Sequence, residues 1–208
     1  MTAVIAGFYG KLPARGDFVR AALPRDFTDP WDGWLAGVMA ASRAAMGNDW
    51  LPAFLESPVW RFALPAGLCG ERAVLGLMLP SVDRAGRYFP LTFAALFADP
   101  PPSADSPSAG AWLDRCETAG RAALEEDAEP DRLNDMMGRP EMSARTDTGG
   151  NSTMQSVWWS DGSPRVPAGR LSLSGLPDAV TYATMLGAQA ELEPPNRGLG
   201  GEAWERPS

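Results

Sequence analysis

Two apolar runs constrain this chain more than any other feature: "AVLGLML" at residues 73–79 and "YFPLTFAALF" at residues 88–97, joined by "PSVDRAGR". A strand with one face in water alternates apolar and polar residues with a period of two. Neither run alternates, and strands apolar on both sides are usually covered on both faces. The two runs therefore predict central strands, Val74 to Leu79 and Phe89 to Phe97, paired antiparallel in the middle of one sheet. Helices should lie above and below it. The expected fold class is α/β: a three-layer sandwich with one largely antiparallel or mixed sheet and helices on both faces. At 208 residues the chain can bury a sizeable core, and residues 1–187 read as one domain, followed by a Pro/Gly-rich tail over 188–208.

Around this centre the remaining elements are short. "VIAGFYGKL" reads as a first strand, ended by Pro13 and a Gly16-Asp17 turn. "TDPWDGWLAGVMAASRAAMG" reads as a helix with Asp29 as N-cap, Pro30 at the first helical position and Gly47 as the stop. Its inward stripe should hold Trp31, Trp34, Leu35, Val38, Met39 and Ala45. "WLPAFLES" suits a helical turn, and "PVWRFAL", "SVWW" and "GRLSLSG" suit strands. Ser108 is a plausible cap for a helix burying Trp112, Leu113, Cys116, Ala119, Gly120 and Ala123. "DRLNDMMG" reads as a short helix. "LPDAVTYATML" reads as a last one, with Leu176, Val180, Ala183 and Leu186 facing inward. Residues 98–108 and 138–154 have loop composition. Most of the eight tryptophans fall on strands or helix stripes and suit core packing, whereas Trp204 stands in the polar tail.

Composition removes whole classes of function. The net charge is −8 and Lys11 is the only lysine, a poor match to nucleic acid or an anionic membrane surface. No histidine is present, which removes the commonest metal ligand and general base and every Ser-His or Cys-His nucleophile arrangement. Cys69 and Cys116 form no CxxC pair, and two isolated cysteines suit a reducing compartment. No signal-peptide pattern opens the chain and no apolar run reaches the ~20 residues of a membrane span. A cytoplasmic protein with no metal, no cofactor and no membrane insertion is the expectation. "GFYGKL" lacks P-loop spacing, and GxGxxG and GxSxG are missing. "DTGG" at Asp147 has no second triplet to face it.

The charged link between the two apolar runs remains. Asp83 can accept from nearby backbone amides and Gly86 can take positive φ, so "SVDRAGR" is sufficient as a hairpin turn. A hairpin alone does not need two arginines. Arg84 and Arg87 could lock Asp17 and Asp83 in an internal network, or could grip an anionic partner bidentately. Two functions from different classes follow. One is a non-enzymatic regulator that works by protein–protein binding. The other is a small-ligand or phosphate-binding domain using Asp17, Asp83, Arg84 and Arg87, which requires those side chains to converge in a concave pocket.

The ordered set "GFYGKLPARGDFV", "WDGWL", "SPVWRFAL", "GLMLPSVDRAGRYFPLT", "SVWW" and "SGLPDAVTYATML" resembles the type VI secretion-associated TagF/ImpM family, from about Gly7 to Leu186. "GKLPARGDF" and "PSVDRAGRYFPLT" are its most specific parts. The resemblance implies an α/β sandwich and a bacterial cytoplasmic accessory protein without enzymatic activity. It further implies post-translational repression of the secretion system through contact with its forkhead-associated scaffold protein. Within those motifs Lys11, Asp17, Ser81, Asp83, Arg84 and Arg87 are the candidate partner-binding residues.

Overall fold

The computed structural model describes residues 4–98, 103, 106–126, 128–141 and 155–188. The C-terminal tail with Trp204, and most of the two loops expected at 98–108 and 138–154, lie outside the described residues. Seven strands make one sheet: β1 (Ile5–Gly10), β2 (Val19–Ala21), β3 (Trp60–Leu64), β4 (Ala73–Leu79), β5 (Leu91–Phe97), β6 (Ser156–Ser160) and β7 (Gly169–Leu173). Their order is β2-β1-β5-β4-β3-β6-β7, and every pairing is antiparallel. β4 is the middle strand of the seven and β5 lies next to it, in register from Ala73 opposite Phe97 to Leu79 opposite Leu91. All fourteen residues of β4 and β5 are buried. The second run enters the ladder at Leu91 rather than Phe89, because Pro90 has no N–H to donate. Tyr88 instead makes an isolated bridge with Val82.

Helices cover both faces. α1 (Arg25–Met46), α2 (Trp50–Leu55) and α5 (Ala179–Met185) bury one side, and α3 (Pro107–Glu125) with α4 (Pro130–Met137) bury the other. Leu75, Leu77, Phe93 and Phe97 pack toward α3, while Val74, Met78 and Leu96 pack toward α1. The α1 side is dense in tryptophan. Trp31 donates to Thr92 Oγ1 at 3.0 Å, Trp34 to the Pro177 carbonyl at 2.7 Å and Trp60 to the Met185 carbonyl at 3.0 Å. Each indole thus buries its ring and still pairs its one polar atom.

Four local expectations are corrected. α1 starts at Arg25 with Pro24 as N-cap, so Asp29 does not cap it and Pro30 lies inside it. The extra turn exists because Phe27 and Thr28 are buried, and that packing outweighs both the Asp29-Pro30 start signal and the hydrogen bond that Pro30 cannot make. Ala45 is exposed, and the buried position on that stretch is Ser42, whose hydroxyl accepts from Trp50 Nε1 at 3.0 Å. α3 begins with Ser106 as N-cap, two residues ahead of Ser108, and has Pro107 in its first turn. At α5, Val180 is 72% exposed; Ala183 and Leu186 are buried as expected, and Tyr182 and Met185 are buried with them. The phase of so short a helix is set by its Asp178 cap and by Tyr182 meeting the Trp34 ring.

Candidate functional site

The connection between β4 and β5 folds back on itself. Asp83 N–H donates to the Arg87 carbonyl at 3.0 Å and Gly86 N–H to the Asp83 carbonyl at 2.9 Å, with Gly86 at φ 78°. The tip is pinned to the turn after β1: Arg84 N–H donates to the Arg15 carbonyl at 2.9 Å, and Arg87 Nη2 donates to the Gly16 carbonyl. Gly10 makes the close approach possible. At φ 144° it passes so near Pro90 that a Cβ would lie 2.2 Å from the Pro90 carbonyl oxygen.

Asp83 is the centre of this knot, and its side chain has no solvent exposure. Oδ1 accepts from the N–H groups of Ala85 and Arg87, both at 2.9 Å. Oδ2 accepts from Lys11 Nζ at 2.5 Å and Arg87 Nε at 2.7 Å. Burial on its own would raise the Asp83 pKa; the bonds from Lys11 and Arg87 outweigh it and hold the carboxyl well below the usual carboxylate range. Lys11 is itself buried, and Ser81 Oγ donates to its carbonyl at 2.6 Å.

The six sequence-selected residues therefore divide. Lys11, Ser81 and Asp83 are interior. Arg87 is half-exposed but committed to Asp83 and the Gly16 carbonyl, with Asp17 at 3.7 Å. Asp17 is fully exposed. Arg84 is exposed, and its side chain meets no charged partner among the described residues. The four residues named for a ligand pocket do not converge as a set, because Asp83 is enclosed and saturated.

One neighbour escaped the sequence reading. Phe18 follows Asp17 directly and is 45% exposed. Its ring stacks on Tyr9 at 5.4 Å and 12°, meets Phe89 edge-on at 4.8 Å, and lies 4.9 Å from Lys11 Nζ. Tyr9 is fixed in turn by donating to Asp32 Oδ1 at 2.6 Å. The available signal was an aromatic placed between a turn and a three-residue strand, where no core position accounts for it. A pocket elsewhere, between Phe54, Trp60, Pro80, Pro90 and Met185, has room for about one water molecule.

The structural class is a doubly covered antiparallel sheet whose central hairpin is locked by a buried ion pair onto the turn after β1. Residues 7–139, nearly two thirds of the chain, match the TagF N-terminal domain, type VI secretion system-associated, and the chain belongs to that family. Among solved structures it is similar to the crystal structure of PA0076 from Pseudomonas aeruginosa PAO1 at 2.05 Å resolution. The two are 35% identical with a TM-score of 0.77, over 91% of this chain and 97% of that one. No curated protein matches the chain significantly. Among the described residues no helix is long and apolar enough to cross a membrane.

Proposed function

We propose that this chain is a non-enzymatic, cytoplasmic regulator that represses a type VI secretion system after translation, by binding the system's forkhead-associated scaffold protein. Family membership supplies the link to secretion. The observation that carries the non-enzymatic part is the saturation of Asp83. Of the two carboxylates in the most specific motifs, Asp17 is fully exposed on a turn, while Asp83 has both oxygens occupied by four donors and no solvent exposure. A general base must reach a substrate proton, and this one reaches only its own chain. The thiols are similarly withdrawn: burial pushes Cys69 up to about 12 and Cys116 higher still, which suppresses the reactive thiolate. The same saturation disfavours the phosphate-binding reading, since among the described residues only Arg84 of its two arginines keeps its donors uncommitted.

Overproduction of the chain in its own bacterium is expected to abolish export of type VI substrates without lowering the amount of secretion machinery. The purified chain should bind the purified scaffold protein directly and should not hydrolyse a phosphoester such as p-nitrophenyl phosphate. Unchanged secretion, or turnover lost in Asp83→Asn, would refute the proposal.

A further inference from the structure

We infer that Phe18 and Arg84 together form the docking point of this chain, and that they receive a segment of a protein partner that presents a carboxylate beside an apolar side chain. The inference deepens the proposed function and rests on it for the identity of the partner, but the surface is read from the geometry alone.

Phe18 is exposed and yet immobilised. Tyr9 and Phe89 hold its ring from two directions, and Lys11 supplies a cation 4.9 Å from its centre. An aromatic already ordered in the free protein loses little entropy on binding, which is the property of interface anchors. The backbone behind it is fixed at a cost. Ala22 has φ 56°, the only positive value for a non-glycine among the described residues, inside a tight turn in which Leu23 N–H donates to the Ala21 carbonyl at 2.7 Å. Gly7 leaves room for that carbonyl, because a Cβ there would lie 2.0 Å from the Ala21 oxygen. A folding requirement alone would be met by an unstrained exit from β2; strain of this kind persists where the surroundings over-determine it.

The charge around Phe18 selects the partner. The chain carries a net −8, yet this corner is balanced: Lys11, Arg15, Arg20, Arg84 and Arg87 stand among Asp17, Asp29, Asp32, Asp83 and Glu129. Lys11 and Arg87 are bound to Asp83, and Arg15 pairs with Glu129 at 2.6 Å. Arg84 makes no ion pair among the described residues and is held by its own backbone N–H on the Arg15 carbonyl, three residues from Phe18. An exposed arginine on a turn pinned three residues from a rigid aromatic fits a carboxylate next to an apolar side chain. Nucleic acid would meet the acidic remainder of the surface.

The test is titration of the purified chain with the purified forkhead-associated scaffold protein, at two salt concentrations, with thermal melting of every variant. Phe18→Ala and Arg84→Glu are each expected to weaken binding at least tenfold. Arg84→Glu should melt like the parent, since that side chain is exposed. Arg84→Lys should retain most of the affinity, and added salt should weaken the parent more than Arg84→Gln. Val180→Ala, on the exposed side of α5, should bind as the parent does. If the parent binds and Phe18→Ala and Arg84→Glu bind equally well, the docking point is wrong while the proposed function stands. Tighter binding by Arg84→Glu overturns the acidic partner. Absence of binding by the parent overturns both.

Discussion

Two carboxylates in this protein are each gripped by two cations, and they behave as different objects. Glu117 of α3 accepts from Arg61 at 3.0 Å and from Arg121 at 2.8 Å, but its side chain keeps 22% of its exposure. Arg61 also donates to Asp114 at 2.8 Å. Asp83 has Lys11 and Arg87 plus two backbone N–H groups, with no exposure. Water can take over any bond that Glu117 loses, so the Arg61 cluster is a surface network of modest worth. No water reaches Asp83 to do the same. Removing one member of a buried pair leaves a charge without compensation, which is far more damaging than the pair's net contribution suggests. The lesson is that equal charge counts hide unequal roles: one cluster decorates the fold and the other ties β1, β4 and β5 together.

The largest effect that would test this contrast comes from Asp83→Asn and Lys11→Met. Each should lower the denaturant midpoint several times more than any change in the Arg61 cluster, and hydrogen exchange should open first at the 80–90 hairpin. If either variant unfolds like the parent, the two clusters are equivalent and the contrast is broken.

Next comes acid sensitivity. Burial favours the neutral form of Glu117, but the bonds from Arg121 and Arg61 prevail and lower its pKa, as Lys11 and Arg87 lower that of Asp83. A depressed native pKa contributes stability that is fully present above the unfolded value, about 3.9 for Asp and 4.3 for Glu. That stability is lost as pH falls through the native value. Stability should therefore decline below about pH 4. Asp83→Asn should flatten that decline, and Glu117→Gln should flatten it less. Urea melts between pH 2 and 6 would read the difference, and the reverse ranking would contradict the contrast.

Arg61→Ala follows, at about 1 kcal/mol, the value of a partly exposed network of charged hydrogen bonds. Chemical denaturation measures it, and a loss of several kcal/mol would place Arg61 with the buried cluster instead. The smallest effect is Arg84→Ala, within about ±0.5 kcal/mol, as expected for a surface side chain with no ion-pair partner among the described residues. A larger loss would show that the tip arginine is structural and would remove it from the docking surface.

The sheet was legible because its signal is local and redundant. Seven consecutive apolar residues in "AVLGLML" leave no polar side to face water, so double coverage follows from β4 alone. The tryptophans of α1 repeat at helical spacing, and the helix was visible for that reason. Its start was not. Asp29-Pro30 is a sound capping signal, but Phe27 and Thr28 gain more by packing in an added turn than the cap would supply. Val180 failed for the same reason in reverse: seven residues give too few turns for periodicity to fix the buried side of α5. At the candidate site, the hairpin and its residues could be chosen from the motif, but their division into interior and surface could not. Arg84 and Arg87 look alike in "DRAGR"; one is left exposed and the other is bound to Asp83.

What the sequence determined by itself is the set of materials: strands that must be covered on both faces, helices with one apolar side, a turn fixed by Asp83 and Gly86, and a chain without histidine. Those properties depend on residues within a few positions of one another. Tertiary structure alone decided that Lys11 meets Asp83 across seventy-two positions, that Arg87 is spent on that pair, and that Phe18 is held exposed between Tyr9 and Phe89. Such contacts depend on strand order and on which side chains the assembled sheet leaves room for. An ion pair gains its strength from burial, and burial belongs to the assembled fold rather than to either residue.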